Sequence, residues 1–86
     1  MSNVVNALDG ALLVRVAEIG GIRYAAVWHG GVSVNVYDPE RWNEVGVFTI
    51  MDEQGRAESR DAVEVAMEEH FEQVAVEAGV EVMFDE

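Results

Sequence analysis

Residues 32–38, VSVNVYD, alternate along the chain. Val32, Val34 and Val36 fall on one side of an extended backbone, and Ser33, Asn35 and Tyr37 on the other. That two-residue period predicts a strand with one buried face. Asp38-Pro39 closes it, because proline has no N–H to give to a ladder. The stretches before it are also rich in aliphatic and β-branched residues. ALLVRVAEI (11–19) and IRYAAVWH (22–29) read as two strands joined by Gly20-Gly21, a pair suited to a tight hairpin turn. In the second, Ile22, Tyr24, Ala26 and Trp28 share one face and Ala25 and Val27 the other, so both faces carry apolar groups. Gly30-Gly31 predicts a second hairpin, and VGVFTIM (45–51) a fourth strand after a short connection that contains Trp42. DEQGRAE (52–58) reads as a loop turning at Gly55.

The period then changes. Ser59 is a good N-cap, Asp61 suits the positive first turn, and Gly79 sits where a helix exits through a left-handed residue. Between them Val63, Met67, His70, Phe71, Val74 and Ala78 gather in an arc of about 100°, which predicts one long helix with that stripe buried. VEVMF (80–84) alternates again as a last strand, and SNVVNAL (2–8) is a candidate short helix with Ser2 as its N-cap. The order β-β-β-β-α-β predicts a single α+β domain over residues 1–86. It would hold a mostly antiparallel sheet of four or five strands, with the helix on one face.

Composition sharpens this picture chiefly through charge. Seventeen acids stand against five bases, all arginine, for a net charge of −12. Residues 52–86 hold twelve acids and two arginines, a net of −10, while residues 1–51 hold five acids and three arginines, a net of −2. A field of this sign repels nucleic acid and anionic membrane and attracts basic surfaces. The absence of Cys removes disulfide and thiol chemistry and suits a reducing, cytoplasmic setting. MSNVVNALDG (1–10) has no basic n-region and no long apolar run, so no signal peptide is expected, and no apolar run approaches the roughly 20 residues that cross a bilayer.

The acids of the helix are ordered. Asp61, Glu64, Glu68 and Glu72 fall in a separate arc of about 80°, with neighbours about 4.5 to 6 Å apart along the axis, and Glu69 lies to one side. Apart from Arg60, four residues before Glu64, no Lys or Arg stands four residues from any of them, and each like-charge pair at that spacing costs a few tenths of a kcal/mol, roughly. Three readings compete. The line is a solvated face that keeps a small protein soluble. It is an adaptation to high salt. Or it is a recognition surface that copies the phosphate track of a nucleic-acid strand and fits an Arg/Lys groove.

Trp28, Tyr37 and Trp42 are the remaining interface candidates, since Trp and Tyr anchor many interfaces and also serve as core residues. A homodimer through the sheet would cover the second apolar face of residues 22–29. Enzyme chemistry finds little purchase. His29 and His70 lack the spacing of a metal pair, and the serines lack a nucleophile-elbow context. The Gly-Gly pairs lack a phosphate-cradling pattern. No cofactor and no metal are expected.

In size, acidity and layout the chain resembles the small phage-encoded inhibitors of bacterial defence, the anti-CRISPR proteins. The likeness covers the whole chain and rests on overall character, not on a motif. It implies a non-catalytic, stoichiometric inhibitor in the host cytoplasm. Such a protein would dock on the basic surface of a CRISPR effector complex and block nucleic-acid access without binding nucleic acid itself. The residues suggested for that contact are Asp61, Glu64, Glu68, Glu69 and Glu72, with Trp28, Tyr37 and Trp42.

Overall fold

A computed structural model describes residues 8–50 and 59–84. The candidate helix at 2–8 and the loop at 52–58 lie largely or wholly outside the described residues. The elements run β1 (Leu13–Ile19), β2 (Ile22–Trp28), β3 (Ser33–Tyr37), β4 (Glu44–Thr49), α1 (Arg60–Ala78) and β5 (Val82–Phe84). The domain is α+β. One antiparallel sheet has the order β4-β3-β2-β1-β5, so the first four strands form a meander and the last returns to pair with the first.

Local chemistry sets the turns. Ile19 pairs with Ile22, leaving Gly20 and Gly21 as a two-residue loop with φ of 58° and 87°. Both positive angles are what a hairpin of this length requires. Gly20 is also hemmed in: a Cβ there would lie 3.1 Å from Cγ2 of Val80. Between β3 and β4 the Asp38 carboxylate accepts the Glu40 N–H, Asp38 N–H donates to the Asn43 carbonyl, and Trp42 takes a left-handed φ of 58°. Val36 faces Gly46 and Tyr37 faces Glu44, so Val45 is the extra residue of a β-bulge.

Alternation sorts the sheet into two faces. Leu13, Ala17, Ile19, Ala26, Trp28, Val34, Val36 and Ile50 are buried under α1 with Val63, Met67, Phe71 and Ala75. The opposite, outer face carries Val14, Val16, Ala25, Val27, Asn35, Tyr37, Val47 and Met83. Ala25 and Val27 at its centre are fully buried, while Val14, Val47 and Met83 toward its margins are exposed. The two-sided apolar character expected of β2 is therefore present, with Trp28 on the helix side.

The helix has the expected caps. Ser59 Oγ accepts the Ala62 N–H at 3.3 Å, and Gly79, at φ 71°, donates its N–H to the Val76 carbonyl while Val80 N–H reaches the Ala75 carbonyl. That is a Schellman exit. The buried stripe differs from the expected one. It is Val63, Met67, Phe71 and Ala75, whereas Val74 and Ala78 are exposed and His70 is half-buried. The reason is geometric. α1 packs through a row of residues four apart, and such a row winds about 40° around the axis per step. By the last turn the contact has moved past Val74 and Ala78 and onto Ala75.

Candidate functional site

That same row explains the position of the acids. Glu64, Glu68 and Glu72 each directly follow a buried residue, Val63, Met67 and Phe71, and so sit about 100° further around the helix. They form a flank of the packing interface. Glu64 and Glu68 are half-buried, and Asp61, Glu69 and Glu72 are exposed. All five lie on one helix, as the wheel places them.

The line is not bare, contrary to expectation. Arg15, on the helix face of β1, donates from Nη2 to Glu68 Oε2 at 2.8 Å. Its guanidinium also lies 4.9 Å from the centre of the Phe84 ring. The neutralising base comes from a residue 53 positions away in sequence, out of reach of any helical-spacing argument. The pair keeps contact with water, with about a fifth of the Arg15 side chain and a third of Glu68 exposed. Its contribution to stability belongs to the surface class, at most about 1 kcal/mol.

The three aromatic candidates do not form one patch. Trp28 is buried in the core at 6% exposure, and its Nε1–H donates to the Gly31 carbonyl at 2.8 Å. It is a core residue and is not available to a partner. Tyr37 and Trp42 do meet: their ring centres are 6.1 Å apart, tilted by 47°. Both are half-buried. Burial first, and the Glu44 carboxylate second, raise the Tyr37 pKa above its ordinary 10.0, so its hydroxyl stays protonated. Asn35 Nδ2–H donates to Glu44 Oε1 at 2.7 Å nearby, on the outer face.

The other flank of α1, formed by Ala62, Ala66, His70 and Val74, differs in chemistry. His70 stacks on Phe48 of β4, ring centres 4.1 Å apart and planes 14° from parallel. Burial lowers its pKa below 6.5, opposed by the charge of Glu77, so the ring is neutral at pH 7. Because α1 lies closest to β1 and β5, it leaves the β3–β4 side of the helix face less covered. A cleft of about 170 Å³ opens there, with Ile19, Val36 and Val45 of the sheet facing His70, Phe71 and Val74 of the helix. The sequence wheel placed His70 and Val74 in the core and so missed this cleft; the helical offset that opens it has no one-dimensional signature.

Among the described residues no group of three or more His, Asp or Glu side chains is arranged to hold a metal ion. Among the same residues no helix is long and apolar enough to cross a membrane. Comparison with protein-family models, curated proteins and solved structures finds no match to this chain.

Proposed function

We propose that the protein is an acidic binding module that occupies a basic, nucleic-acid-binding groove on another protein and blocks it without turnover. A CRISPR effector complex in a phage-infected cell is the kind of partner this reading favours. The observation that carries it is the segregation of charge: Asp61, Glu69 and Glu72 stand exposed along α1, Glu64 is half-exposed beside them, and the Arg15 pair at Glu68 offsets one charge of the five. A cationic groove gains from such a line through charge-assisted contacts and fast, steered association.

The test starts with capture from lysates of bacteria that carry CRISPR systems, read for basic nucleic-acid-handling complexes. A captured complex is then purified and assayed for target-DNA binding with the protein added. Inhibition at near-stoichiometric amounts that weakens as salt rises supports the proposal. Affinity that does not change between low and high salt overturns it. Reversing Glu64, Glu69 and Glu72 to Lys should abolish inhibition while the fold persists. Glu68 is left in place because Arg15 holds it.

A second reading is favoured by the exposed Val14, Val47 and Met83 on the outer face. In it the chain is a non-catalytic assembly protein that associates with itself through the sheet, and its acidity serves solubility.

A further inference from the structure

The cleft beside His70 does not end at the helix. Tyr24 and Val45 line it on one side and also line a wider hollow, of about 610 Å³, at the end of the sheet. The hollow is bordered by Glu18, Asp38 and Glu40, with Arg23 the only base among the residues that line it. The two spaces make one groove with an apolar half and an acidic half. Val45 on the sheet side is more than half exposed, and Val74 on the helix side more than a third. These walls are therefore reachable from outside.

Size and charge specify the occupant. A cavity of about 150 Å³ holds a benzene-sized group, so the cleft suits one large apolar side chain and is too small for a drug-sized ligand. The acids of the hollow suit a guanidinium or ammonium beside that side chain. A second copy of this chain fits poorly, since each copy has a net charge of −12 and would bring its own acids to the contact.

We infer that the groove between α1 and β4 receives a segment of a partner protein in which a Phe or Leu side chain fills the cleft and an adjacent Arg or Lys lies against Glu18, Asp38 and Glu40. This inference rests on reading the chain as a binder of basic protein surfaces. It adds an apolar anchor that the acidic line of the helix does not provide. Such an anchor gives specificity, because charge alone would bind every polycation.

The probes are two peptides, acetyl-Arg-Arg-Phe-Arg-Arg-amide and the same sequence with Ser for Phe. They are titrated into the ¹⁵N-labelled full chain at roughly physiological salt, where long-range attraction is screened. The expected result is at least about fivefold tighter binding of the Phe peptide, about 1 kcal/mol, with amide shifts concentrated at Val45, Gly46, His70 and Val74. Val74→Trp, which fills the cleft from an exposed helix position, should erase the preference for Phe. Val45→Ser should reduce that preference from the sheet side and serves if the tryptophan variant does not fold. The Glu64→Lys, Glu69→Lys, Glu72→Lys chain should bind both peptides more weakly but keep the preference. Equal affinity for the two peptides overturns the inference, as do shifts confined to the acidic line. Either outcome leaves the inhibition test of the helix to succeed or fail by itself.

Discussion

The Arg15 guanidinium serves two partners at once, the Phe84 ring at 4.9 Å and the Glu68 carboxylate at 2.8 Å. Arg15→Met keeps an apolar stem against the ring but loses both the ion pair and the cation over the ring, so it should lower stability by about 0.7–2 kcal/mol. Arg15→Ala should cost more, because the stem's packing goes too; urea titration of both variants separates the two parts. His70 predicts a pH effect. Its folded pKa lies below 6.5. The unfolded chain therefore binds the proton more readily, and the contribution of this site is present above pH 6.5 and lost as the pH falls through the folded value. His70→Phe, which preserves a ring on Phe48, should flatten the stability-versus-pH slope just below pH 6.5. An unchanged slope would assign it to the carboxylates. At Gly20 two constraints coincide, a φ of 58° and Val80 Cγ2 at 3.1 Å from the missing Cβ. Gly20→Ala should therefore destabilise by about 1 kcal/mol or more, read as a lower midpoint in thermal unfolding.

At the level of elements, α1 depends on its entry cap, and Ser59→Ala should cost about 1 kcal/mol in a denaturant titration. That cap was legible in the sequence, as were the Gly79 exit, the Gly20-Gly21 hairpin and the inward pair Val34 and Val36, because each rests on the conformation of a few adjacent residues; Val32, of the same alternation, lies outside β3 and is exposed. The helix bounds and the five strands follow the sequence pattern to within two residues. What the pattern hid is relational. Nothing in VEVMF says that it pairs with β1, in register Ala17 to Phe84. The bulge at Val45 depends on where Gly46 meets Val36. The helix stripe was displaced because an ideal wheel has no knowledge of which row of residues meets the sheet. For the acidic line, the residues and their spacing were readable but the Arg15 contact was not, and for Trp28 the sequence offered a core role beside the interface one without deciding between them. The contact and the burial of Trp28 both arise from strands folded beneath the helix.

For the molecule as a whole, α1 gathers a line of exposed acids on one side, and the far face of the sheet carries exposed apolar side chains. α1 carries its exposed acids away from the sheet, while Val14, Val47 and Met83 stand exposed on the far face. If the far face joins two copies, sedimentation across concentration should show a dimer, and Val47→Lys should shift it to monomer. A single monomeric boundary at every concentration would remove the assembly reading. The Arg15–Glu68 contact makes a prediction at this scale as well. Arg15→Met should add one open carboxylate to the line and strengthen salt-sensitive association with a basic partner. The two-sided layout also bears on handling. On a positively charged sensor chip or exchange resin the molecule will settle helix-down, with Val14 and Val47 toward the liquid. A ligand screened in that posture meets the wrong side, so the protein should be tethered by a neutral linker, or the partner immobilised in its place.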